Sequence, residues 1–163
     1  MKKQAVIMIT ILILAVLVPI LFFVLRDEIV MIAGEEFSAR HTTELDIIPT
    51  SLQDIDGIAR LGNLERLRIL DAENVFPTFE EGELLLDVIS ELDNLRDLEL
   101  AFIPIDGYSL SHLSALTELE RLDISNSWLE DISAIAGLVN LQELRLSNNN
   151  ITDLSPVRNM MRA

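Results

Sequence analysis

There is no cysteine among the 163 residues. That excludes a disulfide framework, a thiol nucleophile, a thiolate metal site and lipid attachment at cysteine. It leaves the compartment open, because a repeat core can be large enough to fold without cross-links. Lysine is almost missing too. Lys2 and Lys3 are the only two, and Arg26 is the only other basic residue before Asp27. From residue 27 onward nine arginines face all 27 acids, a net charge of -18. Such a surface repels polyphosphate and anionic headgroups, which excludes nucleic acid as a ligand. Catalytic signatures are also absent. There is no Gly-rich phosphate loop, no Gly-x-Ser-x-Gly and no His-Glu-x-x-His. His41 and His112 stand isolated in the sequence. Glu80-Glu81-x-Glu83 lacks the spaced Asp/Asn of a calcium loop and suits the start of a helix instead. No enzymatic activity, cofactor or metal is expected.

What the chain does have is a period. Leu116, Leu119, Leu122, Ile124, Leu129 and Ile132 recur twenty-two residues later as Leu138, Leu141, Leu144, Leu146, Ile151 and Leu154. A fixed period of this length marks a solenoid, one supersecondary unit stacked on copies of itself. The run Leu141, Leu144, Leu146, Asn149 resembles the leucine-rich repeat. The tail Ile151-Thr-Asp-Leu154-Ser-Pro156-Val157 is similar to the 22-residue class of bacterial internalins. That resemblance implies a binding scaffold and names no partner.

The same pattern can be followed backwards. Leu45, Ile47, Leu52, Ile55, Ile58 and Leu61 lie seventy-seven residues before Leu122, Ile124, Leu129, Ile132, Ile135 and Leu138. Five repeats result, over about 44–60, 61–91, 92–115, 116–137 and 138–159. The second carries an insertion of about nine residues. Within it Leu84, Leu85, Val88, Ile89 and Leu92 recur at helical spacing, which predicts a short helix on the convex side. The expected architecture is an α/β solenoid. Short parallel strands line the concave face, and 3-10 turns or short helices line the convex face.

The N-terminal part is of another kind. Residues 5–25 carry no charge, and at 1.5 Å per residue they reach roughly 31 Å, about one bilayer core. Lys2-Lys3 followed by an apolar run also opens a signal peptide. However, the run is long for one, and Leu25-Arg26-Asp27 offers no small-x-small cleavage site. The expectation is an uncleaved single-pass anchor at the cell membrane. Residues 1–4 form a cytoplasmic tip, and the repeats lie outside. Residues 26–43 are expected to form a juxtamembrane linker and N-terminal cap. Ile29 to Ala33 would extend the helix or lie at the interface, and Gly34-Glu35-Glu36 would break it. The domain at 44–163 follows.

Candidate contacts come from the residues between the inward leucines. Stacking puts Glu44, Arg66, Asp97, Arg121 and Glu143 in one outward column, with alternating sign. Asp46, Arg68, Glu99, Asp123 and Arg145 form a second. Such columns read first as a ladder that holds strand register and second as a mixed-charge face for a protein partner. A third column, Ile48, Leu70, Ala101, Ser125, Ser147, runs from apolar to polar, with Phe102 beside it. The cap or the insertion could cover its apolar end. Trp128, the only tryptophan, is either an exposed interface anchor or a lid over its own loop. In the family an Asn ladder binds loop backbone. Only Asn149 fills that site well, Ser127 could substitute, and Asn74 could stand in for Ala72. The expected contact set is therefore Arg66, Arg68, Leu70, Asp97, Glu99, Phe102, Arg121, Asp123, Trp128, Glu143 and Arg145. The partner is a protein. Two alternatives remain: self-assembly, with a homo-oligomer formed through a thin C-terminal edge, or a truncated piece of a larger surface protein.

Overall fold

The inward leucines and isoleucines each occupy one place in a stack of short strands. The computed structural model describes residues 28–70 and 75–158. Its main sheet has five parallel strands: β3 (Glu44–Ile47), β4 (Arg66–Ile69), β5 (Asp97–Leu100), β6 (Arg121–Asp123) and β7 (Glu143–Arg145). The register is the one expected. Glu44 pairs with Arg66, Arg66 with Asp97, Asp97 with Arg121 and Arg121 with Glu143. Side chains alternate across a strand, so Leu67, Leu98 and Leu122 point into the core and are buried. No single repeat could bury them alone.

The return segments form the convex wall. They are helix α1 (Gln53–Ile58), helix α2 (Phe79–Ile89), helix α3 (Gly107–Leu110) and 3-10 turns at Ser111–Ala115, Ser133–Gly137 and Ser155–Val157. The insertion does form a convex-side helix. The Thr78 hydroxyl accepts from Glu81 N–H at its start, while the Glu81 carboxylate accepts from Thr78 N–H at 3.0 Å. This is a reciprocal capping box. The acidic run at Glu80 and Glu81 therefore serves the helix start.

The cap differs from expectation. Ile29 to Ala33 does not extend a helix. β1 (Ile29–Ile32) and β2 (Glu35–Ser38) make an antiparallel hairpin. Alternation explains it: Val30 and Ile32 are buried against the first repeat, while Ile29 and Met31 face out. Gly34 is a turn residue rather than a break. Ala33 and Gly34 both have positive φ, 51° and 82°, as a two-residue hairpin turn requires. The expected membrane-spanning helix over 5–25 lies outside the described residues. Among the described residues no helix is long and apolar enough to cross a membrane.

Asp54 fastens this cap. Its carboxylate accepts from Ala33 N–H at 3.0 Å, Thr50 N–H at 2.8 Å and Ser51 N–H at 3.1 Å. Burial pushes the Asp54 pKa up, but these backbone donors and the Thr50 hydroxyl outweigh it and hold it below the usual carboxylate value. A depressed folded pKa stabilises above the unfolded value, near 3.9, and that gain is lost as pH falls through the folded pKa. Asp54→Ala is expected to cost about 1.5 kcal/mol at neutral pH. Asp54→Asn should flatten the loss of stability below about pH 4, as read by urea unfolding at a series of pH values.

Candidate protein-binding face

Two rows of arginine and carboxylate cover the concave surface. Arg66 Nη2 donates to Glu44 Oε2 at 2.6 Å, and its Nε lies 3.9 Å from Asp46 Oδ1. Arg68 bridges two strands, with Nε to Glu99 Oε2 at 2.7 Å and Nη1 to Asp46 Oδ2 at 3.3 Å. Arg121 Nε donates to Asp97 Oδ2 at 3.1 Å. Arg145 Nη2 lies 2.6 Å from Glu143 Oε1, and its Nη1 is 3.8 Å from Asp123 Oδ2. The Glu99 pair keeps Arg68 protonated and raises its pKa further.

These pairs are partly solvated, so each adds only about 0.2–1 kcal/mol. They hold register and stay available. Arg66, Arg68, Asp97, Glu99, Arg121, Asp123, Glu143 and Arg145 together line a groove of about 370 Å³. Eight of the eleven expected contact residues thus meet in one place.

The other three follow the strands: Leu70 directly after β4, Phe102 two residues after β5 and Trp128 five residues after β6. Leu70 is half-buried and directly follows β4, its N–H donating to Ile47 O at 2.9 Å. Ile48, at the apolar end of the Leu70 column, stays 58% exposed. Phe102 and Trp128 are 45% and 47% exposed. Both sit in left-handed backbone, at φ 66° and 56°. The repeat itself imposes this at Phe102, because Asn126 and Asn148, the matching residues of the next two repeats, have φ 61° and 57°. Asn tolerates that region and a bulky aromatic does not.

The asparagine site behaves as expected. Asn149 Oδ1 accepts from Ser127 N–H and Leu129 N–H, each at 3.0 Å. Its Nδ2 donates to Ile124 O at 2.6 Å and Leu146 O at 3.1 Å. Ser127 substitutes one repeat earlier, its hydroxyl bonding Leu100 O at 3.3 Å. Ile103 fills the site of the third repeat as a buried apolar residue. Asn74 and Ala72 lie outside the described residues.

A second asparagine ladder escaped the sequence reading. Asn63, Asn94 and Asn140 each stand just before the first strand-side leucine. They donate to Arg40 O at 2.8 Å, Gly62 O at 2.8 Å and Thr117 O at 2.9 Å. The signal was Leu-x-Asn-Leu in three repeats, interrupted by Glu118 in the fourth.

The histidines sit apart from this groove. The Ser38 hydroxyl accepts from His41 N–H at 3.0 Å and lies 3.0 Å from His41 Nδ1, on the turn after β2. His112 Nδ1 is 3.4 Å from Asp87 Oδ1 beside α2.

Comparison with known proteins agrees with this geometry. Residues 117–159 match the family model for leucine-rich repeats in two copies. An internalin (inlF) from Listeria monocytogenes superposes with a TM-score of 0.58 at 28% identity, over 78% of this chain. The chain spans 35% of that internalin's length. A TDR receptor matches over 66% of this chain and 17% of its own at 25% identity, with a TM-score of 0.43. That is too low to carry an argument. None of the curated proteins compared matches.

Proposed function

We propose that this chain, a leucine-rich-repeat protein of the internalin-like type, grips a protein partner on its concave face and through the exposed aromatics that follow its strands. We further propose that it does so outside the cytoplasmic membrane, tethered by residues 5–25. The uncharged run behind Lys2 and Lys3 supports the tether and its orientation.

Phe102 carries the binding reading. A bulky side chain is held in left-handed backbone and left 45% exposed, where the next two repeats place asparagine. The turn of the repeat sets that backbone, with Phe102 N–H bonding Ser125 O at 3.1 Å, and phenylalanine fits it less well than asparagine does. Backbone cost retained without a packing return is what a contact residue leaves behind. Trp128 adds a second exposed aromatic, of the type that anchors interfaces.

The test uses opposite signs. Phe102→Asn is expected to raise stability by about 1 kcal/mol while weakening the partner about tenfold or more. Denaturant unfolding and binding titration read the two effects. A variant that gains stability and binds unchanged would leave Phe102 outside the contact.

A further inference from the structure

The sheet has two edges, and their charges differ in kind. We propose that β7 is a self-recognition edge: two copies of this chain pair β7 against β7, antiparallel, about a twofold axis at Leu144.

Three observations carry this. First, the free backbone points outward at the right residue. Glu143 N–H donates to Glu120 O and Arg145 O accepts from Ile124 N–H, at 3.0 Å each, so these two residues face β6. Backbone polar groups alternate along a parallel strand. The N–H and C=O of Leu144 therefore point to the open side. A twofold axis there lets both Leu144 residues exchange two hydrogen bonds.

Second, the charges on β7 are self-complementary. Pairing about Leu144 sets Glu143 opposite Arg145 of the second copy, and Arg145 opposite its Glu143. At the other edge the free backbone of β3 belongs to Glu44 and Asp46, because Arg66 N–H and Leu70 N–H bond Thr43 O and Ile47 O, and pairing with a copy there opposes acid to acid. Like charges opposed on neighbouring strands are destabilising. One edge thus invites a copy and the other repels one, in the manner by which edge strands are controlled.

Third, the apolar layer under β7 is unfinished among the described residues. Leu67, Leu98 and Leu122 are 0–1% exposed, while Leu144 is only half-buried and Leu154 is 57% exposed. Leu141, Leu144, Leu146, Leu154 and Val157 line an open groove of about 330 Å³. A twofold axis perpendicular to the sheet keeps both inward faces on the same side. The two grooves then close on each other as one shared core, with a closed, isologous contact.

The cysteine-free chain makes a direct test possible. Opposed residues 143 and 145 form a non-hydrogen-bonded pair, with Cα atoms about 4.5 Å apart, within reach of a disulfide. Two copies of residue 143 would lie about 8 Å apart, from two residues of rise and one strand spacing, beyond that reach of about 7 Å. Full-length Glu143→Cys and Arg145→Cys chains, in neutral detergent, are oxidised alone and as a mixture. Covalent dimer is expected about tenfold above either single variant in the mixture alone. Equal yields in all three samples, or none in any, would overturn the proposal.

Sedimentation of charge variants gives an independent reading. Arg145→Glu should weaken the dimer about tenfold or more, and adding Glu143→Arg should restore it. Both residues are solvent-facing, and circular dichroism verifies that the variants fold. A wild-type chain that stays monomeric, or a double variant as weak as the single one, would sink the idea.

Discussion

Asn149→Ala should be the most damaging single substitution outside the leucine core. Its carboxamide closes four backbone bonds, to Ser127 N–H, Leu129 N–H, Ile124 O and Leu146 O. Each net bond contributes about 0.5–1.5 kcal/mol, and a half-buried group left unpaired costs more than the bond itself. The expected loss is about 3 kcal/mol, measured by denaturant unfolding. Asn149→Asp separates the two halves of the carboxamide. It keeps an acceptor for the two N–H groups but sets a carboxylate oxygen against Ile124 O and Leu146 O. That variant should lose nearly as much as the alanine. A cost below about 1 kcal/mol for both would mean that water satisfies this loop equally well.

Gly82→Ala is the second. Gly82 closes the first turn of α2, its N–H bonding Thr78 O at 3.1 Å, where alanine on propensity alone would stabilise by about 1 kcal/mol. Packing reverses the sign. A Cβ at Gly82 would collide with the backbone oxygen of Pro104, with the Ile103 side chain 3.6 Å away. A carbonyl in a buried loop cannot rotate aside as a side chain would. Overpacking of this kind costs about 1–3 kcal/mol. The net expectation is a loss of up to about 2 kcal/mol. A stabilised Gly82→Ala would show that α2 can move off the loop.

The leucine period was readable because its physics is local and repeated. A residue that must point inward every second position of each strand leaves a pattern that one mistake cannot erase. Strand identity and the register of the charged columns followed from it, and the convex helix from the helical spacing of Leu84, Leu85, Val88, Ile89 and Leu92. The hairpin was not readable, because Ile29-Val30-Met31-Ile32 is apolar throughout. Its alternation exists only in burial, and the apolar run at 5–25 makes the segment look like more of the same. Gly82 carried no signal, since its neighbour Pro104 is far in sequence and close only through packing. The Leu-x-Asn-Leu ladder was present in the residues but broken by Glu118 and stretched by the insertion, so its spacing was uneven.

The candidate site divides in the same way. Position in the columns was legible, because two charged residues per strand alternate with the inward leucines and so share the concave face. The backbone state of Phe102 was not, because left-handed φ follows from the turn geometry of the repeat, and phenylalanine is a poor advertisement for it. On the proposed reading, that backbone state is what sets Phe102 apart from the register ladder.

The central claim is that the partner lies on the concave face. The most direct measurement places a photo-crosslinking amino acid at Arg68, in the middle of the charged groove, or at Ala136, on an exposed convex turn. Both chains are made in the source cells and irradiated. A discrete protein adduct from position 68 and none from position 136 is the predicted result. An adduct from position 136 with none from position 68 would contradict the account.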